Sequence, residues 1–288
     1  MKIILSTDFS EENEMLFPYA LDLLKESGGE IILFHAYMDQ ILMGDSSFPG
    51  GLDSDTFFNR ELLLEMEEQA GKFMQEKLSK LEQKLTEASL DHIKLKPVLK
   101  GGDPEMELVN LAEAETPNIV LMGTHGKGKK RFLEGSMAKS VMTKVDVPLL
   151  SVPEGYQWTK SNEVLYATNF GRFEISTINK IFETLEQYNP VVHVVHLLMD
   201  EEDDKPALLM EELKLAFKQE SAKQMIRFHL INTSLPKEAL KLFCEQNNIS
   251  LASFIAYRRG LMDYLFKDKI GKDAFFELGI PMLTFREP

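Results

Sequence analysis

The chain repeats itself. Glu163-Val164-Leu165-Tyr166-Ala167-Thr168-Asn169-Phe170 restates Ile3-Ile4-Leu5-Ser6-Thr7-Asp8-Phe9 at an offset of 161 (169 minus 8), and Val194-Val195-His196-Leu197 falls on Leu33-Phe34-His35-Ala36 at the same offset. Near the end, Ile280-Pro281-Met282-Leu283 restates Val147-Pro148-Leu149-Leu150 at an offset of 133 (281 minus 148), so the second copy has a shorter middle. A length of 288 residues then divides into two domains of ordinary size, roughly 100–150 residues each. The expected domains are residues 1–153 and 163–288, with Pro153 to Asn162 as the linker. Whatever fold one half adopts, the other must be able to adopt as well.

Within the first copy, short apolar runs alternate with helical patterns. Lys2 to Thr7, Glu30 to Ala36, Ile93 to Leu99, Asn118 to Met122 and Val147 to Val152 read as strands. Ser10 offers an N-cap to a helix carrying Leu16, Ala20, Leu23 and Leu24, in which Pro18 predicts a kink or a later start. Gly44 to Thr56, rich in Ser, Gly, Asp and Pro, reads as a loop. From Phe58 to Ala88 a long helix carries Leu62, Met66, Ala70, Phe73, Leu81 and Leu85 as one stripe. Gly102-Asp103-Pro104-Glu105 is a helix start, with aspartate at the cap and proline in the first position. Strands alternating with helices imply parallel pairing and a doubly wound α/β sheet.

After the fourth strand comes Gly123-Thr124-His125-Gly126-Lys127-Gly128-Lys129-Lys130-Arg131, closed by Gly135-Ser136 and an apolar helical pattern from Met137. Glycines let backbone approach a ligand, and the N–H groups opening a helix attract phosphate. The segment satisfies G-x-x-x-x-G-K but fails as a P-loop, because Lys130 stands where a Mg²⁺-holding serine or threonine belongs. A solvated basic turn is the plainer reading, and it leaves four basic residues and two glycine steps beside a helix start unexplained. In the second copy the offset puts Ala256 at Gly123, Arg259 at Gly126, Asp268 at Gly135 and Lys269 at Ser136, and Asn169 replaces Asp8. An anion site is therefore expected in the first half alone, the second half serving mainly as support.

A formal charge of −14 argues against nonspecific binding to nucleic acid or to an anionic membrane. The single cysteine, Cys244, permits no internal disulfide and sits in an apolar helical pattern as a packed small side chain. No signal peptide or membrane-spanning run is visible, so the expected location is cytoplasmic. His193 and His196 form H-x-x-H, but residues three apart on a strand face opposite ways and make poor partners for one metal. The acidic run Asp200 to Asp204 reads as a solvated loop. No catalytic constellation emerges, and no metal ligands are assigned.

Thr7-Asp8 after strand one, Gly102-Asp103-Pro104 before the third helix, and Met122-Gly123-Thr124-His125-Gly126 leading to Gly135-Ser136 resemble the universal stress protein family, in a tandem two-domain form. The resemblance implies strand order 3-2-1-4-5 in each domain, the two packed as a pseudo-dimer through their fifth strands, Val147 to Val152 and Ile280 to Phe285. It implies ATP or a related adenine nucleotide, with or without Mg²⁺, held by Asp8 at the adenosine part and by backbone near Thr7, Ala36 and Met122. The phosphate loop would use Gly123, His125, Gly126, Lys127, Gly135, Ser136 and Met137. Eight residues, Lys127 to Glu134, lie between Gly126 and Gly135, where the family pattern has nine. The function implied is a nucleotide-dependent regulatory or interaction module with at most slow hydrolysis, protein partners unknown, and homodimerisation open. Two alternatives stand beside it: a tandem scaffold that has lost nucleotide binding, and an ATP-hydrolysing or nucleotidyl-transfer enzyme. The latter would place a glycine-serine loop directly after strand one, where this chain has Asp8-Phe9-Ser10.

Overall fold

A computed structural model describes residues 1–37, 52–124, 141–159, 161–198, 205–256 and 278–287. The chain divides into two compact units, Met1–Val141 and Met142–Pro288. In the first unit, β1 (Lys2–Ser6), β2 (Gly29–Tyr37), β3 (Ile93–Gly101) and β4 (Ile119–Gly123) lie in the order β3-β2-β1-β4. All three pairings are parallel, with Leu5 level with both Leu33 and Leu121. Ile3, Ile4, Leu5, Ile31, Ile32, Leu33, Ile119, Val120 and Leu121 are fully buried. A parallel strand covered on both faces has no polar side to alternate with, which is why these runs are continuously apolar.

Helix α1 (Glu11–Glu14) is capped by Ser10, whose side chain accepts the N–H of Asn13, and α2 (Leu16–Leu24) follows a break at Met15. The later start expected from Pro18 is thus realised. The proline falls in the first turn of α2, where a missing N–H costs no helical hydrogen bond. Helix α3 (Leu52–Glu87) begins inside the stretch read as a loop. Its covered face also differs from the predicted stripe: Ala70, Met74, Lys77, Leu78 and Leu81 are buried, whereas Leu62 and Phe73 are 45% and 46% exposed. At about 100° per residue the buried set holds one face, and Phe73 and Leu62 drift off its edge. Helix α4 (Pro104–Glu115) starts as expected, with the Asp103 carboxylate accepting the N–H groups of Glu105 and Met106.

The second unit repeats the plan. Its strands β5 (Leu149–Val152), β6 (Glu163–Ala167), β7 (Val191–Leu198), β8 (Ile226–Asn232), β9 (Leu251–Ala256) and β10 (Met282–Arg286) are ordered β8-β7-β6-β9-β10-β5. Read from β6, this is 3-2-1-4-5, all parallel, with β5 added antiparallel to β10 through Leu283 opposite Leu150. The two fifth strands therefore do pair. Helices α5 (Glu174–Thr184), α6 (Lys205–Ala216), α7 (Lys218–Ala222) and α8 (Pro236–Gln246) connect the strands. The linker packs onto this unit, with the Tyr156 hydroxyl donating to the Ser250 carbonyl and Trp158 ringed against Tyr188 at 5.2 Å.

Candidate functional site

Strand order in the first unit reverses beside β1: the chain steps outward to β2 and β3, then returns to place β4 on the other flank of β1. Ligands of open α/β sheets bind outside the carboxyl ends of strands at such a reversal. Thr7 and Asp8 follow β1, Ala36 lies near the end of β2, and Met122 and Gly123 end β4. Because the three strands run parallel in register, these five residues share one edge of one sheet. Thr7, Ala36 and Met122 are each 7% exposed, and Asp8 and Gly123 are half-buried. His125, Gly126, Lys127, Gly135, Ser136 and Met137 lie outside the described residues, as do Arg259, Asp268, Lys269 and the run Asp200 to Asp204.

The turn carrying Asp8 is fixed from three directions. The Thr7 N–H donates to the Phe34 carbonyl at 2.9 Å, and the Thr7 hydroxyl accepts the N–H of Phe9 at 3.0 Å. The Thr7 carbonyl lies 2.7 Å from His35 Nδ1. A carbonyl only accepts, so Nδ1 carries the proton and the ring is held as that tautomer. Phe9 has φ +62°, a left-handed conformation unusual for a bulky residue, and its ring rests on that of His35 at 3.9 Å. Asp8 Oδ1 then accepts from the Ser10 N–H at 3.0 Å, the Ser10 hydroxyl at 2.6 Å and the Asn13 side-chain amide. Several donors on one oxygen stabilise an ionised, oriented carboxylate. Ser10 and Asn13 are themselves buried, 8% and 7% exposed.

The contribution of His35, Phe9, Ser10 and Asn13 was missed from sequence. Its signal was present in the repeat, because the second unit builds the same frame 161 residues on. There the Thr168 carbonyl meets His196 Nδ1 at 2.8 Å, the Thr168 hydroxyl accepts the Phe170 N–H at 3.0 Å, and Phe170 has φ +59°. Its ring lies 4.5 Å from that of His196. Burial lowers the His196 pKa. His193, by contrast, is fully buried and 2.7 Å from Glu163 Oε2. The two histidines of H-x-x-H thus serve different partners. Among the described residues no group of three or more His, Cys, Asp or Glu is placed to hold a metal, and no helix is long and apolar enough to cross a membrane.

The half-buried Asp8 carboxylate, at the reversal of strand order, presents a hydrogen-bond acceptor at the carboxyl edge of the sheet. Residues 1–153 match the family model described as the universal stress protein family. The chain is 28% identical over 161 residues to universal stress protein MJ0577 of Methanocaldococcus jannaschii, covering 52% of this chain and 93% of that one. It is 30% identical over 152 residues to universal stress protein MJ0531 of the same organism, covering 52% and 81%. The crystal structure of a universal stress protein from Archaeoglobus fulgidus superposes with a TM-score of 0.63 over 99% of this chain and 96% of that one. At 18% identity that likeness concerns the fold.

Proposed function

The chain belongs to the universal stress protein family, and on that premise we propose that its first unit binds ATP or a related adenine nucleotide and acts as a nucleotide-dependent regulatory module. The observation that carries the reading is Asp8, oriented by Ser10 and Asn13 at the strand reversal and flanked by Thr7, Ala36, Met122 and Gly123. In this reading the Asp8 carboxylate accepts hydrogen bonds from the nucleoside. Main chain at Thr7, Ala36 and Met122 lies along the base, and Gly123 opens the way to the phosphates. Gly126, Gly135, the Ser136 and Met137 helix start, His125 and Lys127 would hold the phosphates, with Mg²⁺ entering on the nucleotide. In this reading hydrolysis is at most slow. Binding alters which proteins, or which second copy of the chain, the module engages.

Calorimetric titration of magnesium-ATP into wild type, Asp8→Ala and Gly126→Asp tests this. Loss of a hydrogen bond to a charged group, about 1.5–3 kcal/mol, predicts a roughly tenfold to hundredfold weaker Kd for Asp8→Ala. Gly126→Asp should abolish binding by setting a carboxylate against phosphate. No binding by wild type, or equal binding by all three proteins, refutes the reading.

A further inference from the structure

The two copies differ at this strand end in a compensated way. In the first unit the acid is on the turn, Asp8, and the helix residue facing it is Asn13, whose amide donates to the carboxylate. At the corresponding positions 161 residues on stand Asn169 and Glu174. The acid has moved from turn to helix while the Thr-His-Phe frame around it is unchanged.

The moved carboxylate is more deeply buried than that of Asp8. Glu174 is 4% exposed. Its Oε1 accepts the N–H of Gly171 at 2.7 Å and its Oε2 accepts the Tyr166 hydroxyl at 2.6 Å. Gly171 stands where the first unit has Ser10, whose N–H serves Asp8, and Tyr166 stands where it has Leu5. Burial pushes the Glu174 pKa up, opposed by Tyr166, Gly171, the Thr168 side chain and the Asn169 main chain. A glutamate at a helix start that merely caps it satisfies one N–H and leaves its other oxygen in water. Here both oxygens are withdrawn from solvent and each has its own donor, an arrangement worth its desolvation only if those donors are filled.

We infer that Glu174 takes over in the second unit the place of Asp8 as the carboxylate that fixes the turn after β6: it engages the Gly171 N–H, counterpart of the Ser10 N–H that serves Asp8, and the Tyr166 hydroxyl of β6, and so leaves that strand end without a carboxylate for a nucleotide. The exchange of Asp8 and Asn13 for Asn169 and Glu174 then distinguishes the copies at this strand end. The identity of the ligand rests on the proposed nucleotide reading; the role of Glu174 does not.

Glu174→Ala leaves the Gly171 N–H and the Tyr166 hydroxyl around a carboxylate-sized space. Formate is titrated into Glu174→Ala and wild type, ionic strength held constant with chloride, following the melting temperature and the Gly171 amide chemical shift. The variant should show a saturable rise of several degrees and a saturable shift, and wild type neither. A folded variant indifferent to formate overturns the inference. Should the variant not fold in chloride, refolding in formate is the readout: recovery sustains the inference and failure overturns it. Magnesium-ATP is counted on wild type in parallel. One site per chain is expected, and two overturn the inference. None refutes the proposed function while the formate result still decides the role of Glu174.

Discussion

The second unit carries a stacked histidine pair whose titration should set its acid stability. His229 on β8 lies parallel to His193 on β7, ring centroids 5.1 Å apart at 7°, with Phe243 of α8 edge-on to both. Glu163 of β6 holds His193 Nε2 at 2.7 Å, and Arg227 Nη1 lies 3.3 Å from the same nitrogen. Among the described residues, His193 Nδ1 and His229 Nε2 are buried without hydrogen-bond partners. Burial, then His193 and Arg227, push the His229 pKa down to about 4, and burial lowers that of His193 as well. A base whose folded pKa lies below its unfolded value of 6.5 is neutral in both states above pH 6.5. As pH falls, the unfolded chain takes the proton first, so stability drops from pH 6.5 and the loss is complete near pH 4. The full shift would correspond to roughly 3 kcal/mol, and because the ring is only half-buried, screening leaves about 1–2 kcal/mol. The two rings titrate as a pair, so the curve belongs to both. Trp158, the one tryptophan, sits in this unit, so its fluorescence during urea unfolding reports on it selectively. Between pH 7.5 and 4, wild type should lose about 1–2 kcal/mol more than His229→Phe, which keeps the stacked ring and removes the proton site. Equal losses, or a larger loss in the variant, would refute the reasoning.

Four further outcomes are expected. Burial works to raise the Glu14 pKa and is overcome by Lys77 and Lys80, leaving it lowered; Glu14→Gln strands the buried Lys77 ammonium. With Glu14 24% exposed, the cost in denaturant titration should be about 2 kcal/mol, under the roughly 3–5 of a fully buried pair, and should fade as pH falls below 4.5. Gly29 has φ +145° and an added Cβ would lie 1.8 Å from the Met1 carbonyl, so Gly29→Ala should lower the melting temperature sharply. Gly71 of α3 has nothing within 4 Å, so Gly71→Ala should instead stabilise by about 0.5–1 kcal/mol. Burial, aided by Glu245, pushes the Cys244 thiol up to about 12, so Ellman's reagent at pH 8 should label it only as fast as the second unit opens.

Strands β1, β2 and β4 were legible because each holds a short continuous apolar run, and the repeat doubled that signal for β6 and β7; β8, where Arg227 and His229 interrupt the apolar residues, was not read. The start of α3 was not, because Asp53, Ser54, Asp55 and Thr56 are poor helix formers, and sequence alone does not show that a helix already established downstream extends through them. Its buried face was misplaced for a related reason: Phe73 is more apolar than Lys77, yet Lys77 is the buried one, drawn in by Glu14 from α1. That pairing spans 63 residues and no periodicity contains it. The site divides along the same line. The position of Asp8 at the end of β1 could be read directly, whereas the His35 contact that fixes Thr7 needs the register of β1 against β2.

The repeat supplies what periodicity lacks, because two copies of one fold separate frame from function. Thr7, Phe9 and His35 recur unchanged as Thr168, Phe170 and His196, and in both units they make the same strained turn. Positions that the fold needs are therefore the ones kept. Asp8 and Asn13 recur as Asn169 and Glu174, with the charge on the opposite partner, although either arrangement lets the strand end fold. A pair free to invert its charge without loss of the fold is answering to something besides the fold. In the first unit the carboxylate remains half-exposed beside the strand reversal, and in the second it is spent on the protein's own donors. Loss of the turn acid and gain of the buried one thus act in the same direction, which makes the first unit the place to look for the ligand.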